Sequence, residues 1–131
     1  MRLLAEQINS MGIPGDIAEL GVYRGDFARA IAKAFPGRTL HLFDTFEGFH
    51  HADVEHESEE FVNARFPQNC QRVLYKGFFP DTFSDCHADQ FAFVSVDADL
   101  YLPTVAALPM FWEKLSPGGV IMVHDVISTQ F

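Results

Sequence analysis

The residues able to do chemistry in this sequence stand where short apolar runs end. Glu19, Gly21, Tyr23 and Gly25 lie in and just after the run DIAELGV. Asp44 and Thr45 follow TLHLF, Gly77 and Phe78 come soon after RVLY, Asp97 and Asp99 follow FAFVSV, and His124 and Asp125 follow VIMV. Carboxylates in such places can accept ribose hydroxyls, ligate a hard cation or take up a proton. Glycines there let a ligand approach the backbone. Four of the five run ends carry acids, a distribution that random placement would rarely produce.

The elements that must position these residues can be read from periodicity. Leu3, Leu4, Ile8 and Met11 predict an amphipathic helix over 2–11, ended by Gly12, Pro14 and Gly15. Strands are expected at Asp16–Val22, Thr39–Phe43, Arg72–Tyr75, Phe91–Val96 and Val120–Val123. Helices are expected at Asp26–Phe35, over 53–66 and at Pro103–Leu115, with a short helix or turn at Asp81–Cys86 and a tight turn at Ser116–Gly119. Alternating strands and helices, with several strands apolar on both faces, predict one α/β domain over 1–131: a parallel sheet with helices on both sides. Ligands of such sheets bind at the carboxyl ends of the strands, where strand order reverses.

The glycine loop discriminates between ligands. A dinucleotide site wants G-x-G-x-x-G, whose amides hold a pyrophosphate. Here the loop is E-x-G-x-x-x-G, from Glu19 through Gly21 to Gly25. S-adenosylmethionine has no phosphate and carries a cationic sulfonium, so an acid beside a spare glycine loop suits it better; a purely structural strand-to-helix turn is the alternative. Asp44 stands 23 residues beyond Gly21, where an acid can accept both ribose hydroxyls or close an Asx-turn. Asp97 and Asp125 end adjacent strands, about 4.8 Å apart, and could share Mg²⁺ or Ca²⁺. Such a cation would acidify a bound hydroxyl; without one, the clustered acids leave a carboxylate as general base. Asp99 as a helix cap and Asp125 as a turn cap are the structural alternatives.

At these residues the chain resembles the macrocin O-methyltransferase family of sugar-modifying enzymes. The likeness runs from Pro14 to Asp125, and its carriers are GDIAELGVYRG (15–25), LFDTFEGF (42–49), KGFFPDT (76–82), DADLY (97–101) and PGGVI (117–121). The resemblance implies a Rossmann-like class I methyltransferase sheet, with strands in the order 3-2-1-4-5. It also implies S-adenosylmethionine as donor, a divalent cation, and a small-molecule hydroxyl, on a sugar or natural product, as acceptor. Carried over by position, Glu19, Gly21 and Gly25 line the methionine end, Asp44 the ribose, and Gly77 and Phe78 lie near the adenine; Tyr23 and Thr45 join them in binding the donor. Asp97 binds metal, and Asp99 places donor or acceptor; Asp97, Asp99 and Asp125 form the catalytic set. Two departures stand out. The family usually has two consecutive acids after strand five, whereas here they are His124 and Asp125; imidazole is a poor Mg²⁺ ligand and a good one for transition metals. The family also continues with further strands that this sequence lacks, which leaves strand five as an apolar edge and predicts a homo-oligomer that covers it. A non-catalytic S-adenosylmethionine-binding domain and a nucleotide-linked oxidoreductase are the other readings.

Composition narrows the partners. A formal charge of −9 over 131 residues opposes a nucleic-acid backbone or an anionic membrane surface. Cys70 and Cys86 have no metal-type spacing and read as reduced thiols of a cytoplasmic protein. The acidic stretch from His50 to Glu60 reads as a solvated lid over the donor pocket. His41 and His87 read as structural, and Phe91, Phe93 and Trp112 as core.

Overall fold

The computed structural model describes residues 1–47 and 57–124. Its strands are β1 (Asp16–Leu20), β2 (Leu40–Asp44), β3 (Arg72–Lys76), β4 (Phe91–Val96) and β5 (Leu115–Val123). Its helices are α1 (Arg2–Ser10), α2 (Asp26–Ala34), α3 (Glu59–Ala64) and α4 (Tyr101–Glu113), with a 3₁₀ turn at Asp81–Asp85. All pairings are parallel, in the order β3-β2-β1-β4-β5. The chain therefore builds outward from β1 to β3, then returns to the other side of β1 to lay down β4 and β5. The carboxyl ends of β1 and β4 flank the reversal.

Alternation along each strand builds a core on either face. Ile17, Leu40, Leu42 and Phe93 point toward α1, α2 and α3, where Ala28, Ile31 and Phe35 meet them. Ala18, Leu20, Phe43, Phe91, Val94 and Val96 point the other way, against Phe79, Ala107 and Phe111. Phe43 is the hub of that second face: Tyr75 stacks on it at 4.5 Å, and Phe79, Phe83 and Phe111 lie around it at 5.6–6.1 Å. Aromatic packing of this kind accounts for much of the phenylalanine content. The Ser58 hydroxyl caps α3 by accepting from the Phe61 amide at 3.1 Å, and Glu59 and Glu60 complement the helix N-terminus.

Three expectations change. The segment Ser116–Gly119 is no separate turn: Phe91 pairs with Leu115 and Phe93 with Val120, so these residues arch out as a bulge inside β5. The third helix is shorter than expected, Glu59–Ala64, and residues 53–56 lie outside the described residues. Trp112 is not core but 70% exposed. Its neighbour Phe111 faces the sheet together with Ala107, and one residue further on the side chain has turned about 100° away. Among the described residues, no helix is long and apolar enough to cross a membrane.

Candidate functional site at the carboxyl ends of the strands

β1 ends at Gly21, which sits against the start of the loop after β4. With φ at +90°, a Cβ there would lie 2.0 Å from the Asp97 carbonyl oxygen. Only glycine permits both the backbone turn and the approach. Gly25, also left-handed at φ +86°, is the N-cap of α2.

Asp44 ties the glycine loop to β2. One carboxylate oxygen accepts from the amides of Val22 at 2.7 Å and Tyr23 at 3.0 Å. The other accepts from the Phe46 amide at 2.9 Å and lies 3.5 Å from the Thr45 hydroxyl. The Asx-turn reading is thus present, and Asp44 organises the loop from which a ribose would be contacted. Gly77 joins the same rim, its amide donating to the Asp44 carbonyl at 3.0 Å. Phe78 beside it is 73% exposed, while Phe79 is core.

Tyr23 bridges the two sides of the reversal. Its hydroxyl has one proton and two acceptors in reach, the Asp97 carbonyl and, at 2.6 Å, the Asp99 carboxylate. Burial, the bond to Asp99 and the nearby acids Asp97 and Asp44 push its ionisation far above the ordinary phenol range, so it stays a donor. Asp99 is exposed and engaged by Tyr23, and Leu100 rather than Asp99 is the N-cap of α4. Among the described residues the non-glycine positions with positive φ are Tyr23, Phe46 and Asp99. All three lie in the loops after β1, β2 and β4. Strain of about 1–3 kcal/mol per residue, gathered in this way, is characteristic of functional rims.

Glu19 lies beneath this rim, 2% exposed, with Oε1 buried and, among the described residues, without a hydrogen-bond partner. Burial, then Asp97, then Asp44 raise its carboxyl well above the ordinary range. On the same face, His124 follows β5; its Nε2 lies 3.1 Å from the Ser95 hydroxyl, and Phe27 meets its ring edge-on at 5.4 Å. Asp125 lies outside the described residues. Of the expected metal set Asp97, His124 and Asp125, only the first two are described; among the described residues no three His, Cys, Asp or Glu side chains converge to hold an ion.

The macrocin O-methyltransferase model matches residues 1–130. The chain belongs to this family. It is 32% identical over 142 residues to the mycinamicin III 3''-O-methyltransferase of Micromonospora griseorubida, a match covering 87% of the chain and 56% of that relative. It is 31% identical over 151 residues to the 8-demethyl-8-(2,3-dimethoxy-alpha-L-rhamnosyl)-tetracenomycin-C 4'-O-methyltransferase of Streptomyces olivaceus, covering 95% of the chain and 58% of the relative. The solved structure of the O-methyltransferase NovP superposes with a TM-score of 0.82 at 28% identity, over 97% of this chain and 63% of that one. The chain thus spans somewhat over half the length of these curated family members.

Some polar groups of this family member escape sequence reasoning. His41 is buried between Asp16, 2.8 Å from Nε2, and Tyr75, 2.8 Å from Nδ1, with the Cys86 sulfur 3.7 Å from Nδ1. Burial opposes its charge, yet the bonds to Cys86 and Asp16 prevail and raise its ionisation. Asp16 opens β1, so this network lies at the opposite end of the sheet from the rim. No spacing signal links four residues on four segments. A groove of about 750 Å³ runs along α2 from Asp26, the residue after Gly25, to the segment from Arg65 to Gln71, and it carries none of the expected site residues.

Proposed function

We propose that this chain forms the donor-binding part of an S-adenosylmethionine-dependent O-methyltransferase acting on a hydroxyl of a sugar or natural product. The observation that carries the reading is the buried Glu19 Oε1, unpartnered among the described residues, under a rim to which Asp44, Asp97 and Asp99 belong. An acid placed there answers a cationic ligand, and the open glycine turn at Gly21 lets such a ligand lie on the backbone. These features fit the donor, whose methionine end carries an ammonium and a sulfonium. The names of the relatives support a hydroxyl acceptor.

When bound, the donor supplies a methyl group already activated by positive sulfur. In the transfer an O–CH₃ bond forms as the S–CH₃ bond breaks, and the acceptor's hydroxyl proton must leave. Asp99 is exposed on the rim and takes that proton in our reading, with Asp97 as its neighbour. The Tyr23 hydroxyl orients the Asp99 carboxylate, and Asp44 keeps Tyr23 in place through its amide. Catalysis then rests mainly on alignment. Asp97 and His124 would contribute to a divalent cation only with a further ligand such as Asp125, so no step is assigned to a metal.

Incubation with S-adenosylmethionine and a panel of deoxysugar glycosides, followed by mass spectrometry, tests the reading. A product heavier by one methylene, lost in Asp99→Asn, is the expected result. Donor binding without transfer to any hydroxyl would favour a binding domain over an enzyme.

A further inference from the structure

Amphipathic helices at a sheet surface hide one stripe and wet the other. α4 does not follow this pattern. Residues 100–112 contain none of the chain's 27 charged residues (9 Lys and Arg, 18 Asp and Glu), and the face turned away from the sheet is as apolar as the face turned toward it. Leu102 is 76% exposed, Trp112 70%, Tyr101 59% and Val105 46%, with Leu108 also open. Steps of three and four residues join them into one stripe.

We propose that this stripe is the contact through which two copies of the chain associate about a two-fold axis. Three considerations select a second copy. The five side chains leave about 600 Å² uncovered, most of the roughly 800 Å² that each partner contributes to a standard interface. A chain with formal charge −9 carries a net repulsion toward its own copy; residues 100–112, bounded by Asp99 and Glu113, offer an uncharged stretch on which self-contact brings few like charges together. A cationic or polar partner would find better complementarity on the acidic rim than on this face. A two-fold axis through α4 sets the same patch against itself, apolar on apolar, and closes the assembly at two. The contact differs from the one expected from sequence, which lay at the edge of β5.

Trp112 is the only tryptophan, so its fluorescence reports on the contact directly. Sedimentation over a dilution series, with emission and iodide quenching read on the same samples, tests the proposal. The expected result is a species of twice the chain mass whose blue-shifted, protected tryptophan becomes quenchable as the dimer dissociates. Leu102→Glu and Val105→Glu should each raise the dissociation constant about thirtyfold or more. A monomer at all concentrations overturns the proposal, whether its tryptophan is exposed or is shielded by another part of the chain. So does a dimer whose tryptophan stays quenchable and whose affinity ignores both variants.

Discussion

Burial and the neighbouring carboxylates of Asp97 and Asp44 hold the Glu19 carboxyl protonated to higher pH than usual. A carboxyl raised in the native state binds its proton more tightly there than in the unfolded chain. Its contribution to stability is complete below the ordinary carboxyl range and is lost as pH rises through the folded value. Glu19→Gln removes that loss. Thermal midpoints measured against pH should show the variant more stable than the parent at neutral pH, with the margin closing toward acid. The same variant should bind S-adenosylmethionine about tenfold more weakly, since a carboxylate facing an ammonium is replaced by an amide. Gly21 is the second residue on which the site depends. In Gly21→Ala a methyl group would collide with the Asp97 carbonyl at a φ of +90°; denaturant titration should show a loss of about 3 kcal/mol or more. Gly21 could be singled out from sequence because glycine's conformational freedom is a residue-type property. The unpartnered oxygen of Glu19 could not, because satisfaction of a buried group depends on everything around it.

Between elements, Asp44 acts as the tie that holds the loop after β1 to the tip of β2, through the amides of Val22 and Tyr23. Asp44→Ala strands both donors and frees the Phe46 turn. We expect a stability loss of about 2–4 kcal/mol by denaturant titration and faster hydrogen exchange at those three amides. Restoring the carboxylate elsewhere would not rescue them. The strands were legible because hydrophobic runs bounded by glycine or proline report burial on both faces, and β4, the expected Phe91–Val96, is buried throughout. Their ends were less so. β1 stops at Leu20 rather than Val22 because the chain turns at Gly21, and Ser116–Gly119 reads locally as a turn although pairing with β4 absorbs it as a bulge. α4 shows the limit of periodicity as a guide. A helix apolar on all sides gives no signal for which side meets the sheet, so periodicity alone does not separate Trp112 from the core that Phe111 fills.

Across the molecule, parallel topology gathers acids and glycines that lie up to 80 residues apart, from Glu19 to Asp99, at the reversal between β1 and β4. That convergence was legible once five strands had been counted, since ligands of such sheets are held at this place. The expected cation rests on Asp125 as well as Asp97 and His124, and Asp125 lies outside the described residues; His124 itself lies 3.1 Å from the Ser95 hydroxyl. The central claim, that the rim receives a cationic, phosphate-free adenosyl donor, is tested most directly by calorimetric titration of the chain with S-adenosylmethionine and, in parallel, with NAD. The account predicts saturable binding of S-adenosylmethionine at one site per chain, abolished in Gly21→Ala variants that remain folded by circular dichroism. Binding of NAD with no heat from S-adenosylmethionine, or undiminished donor binding by Gly21→Ala, would contradict it.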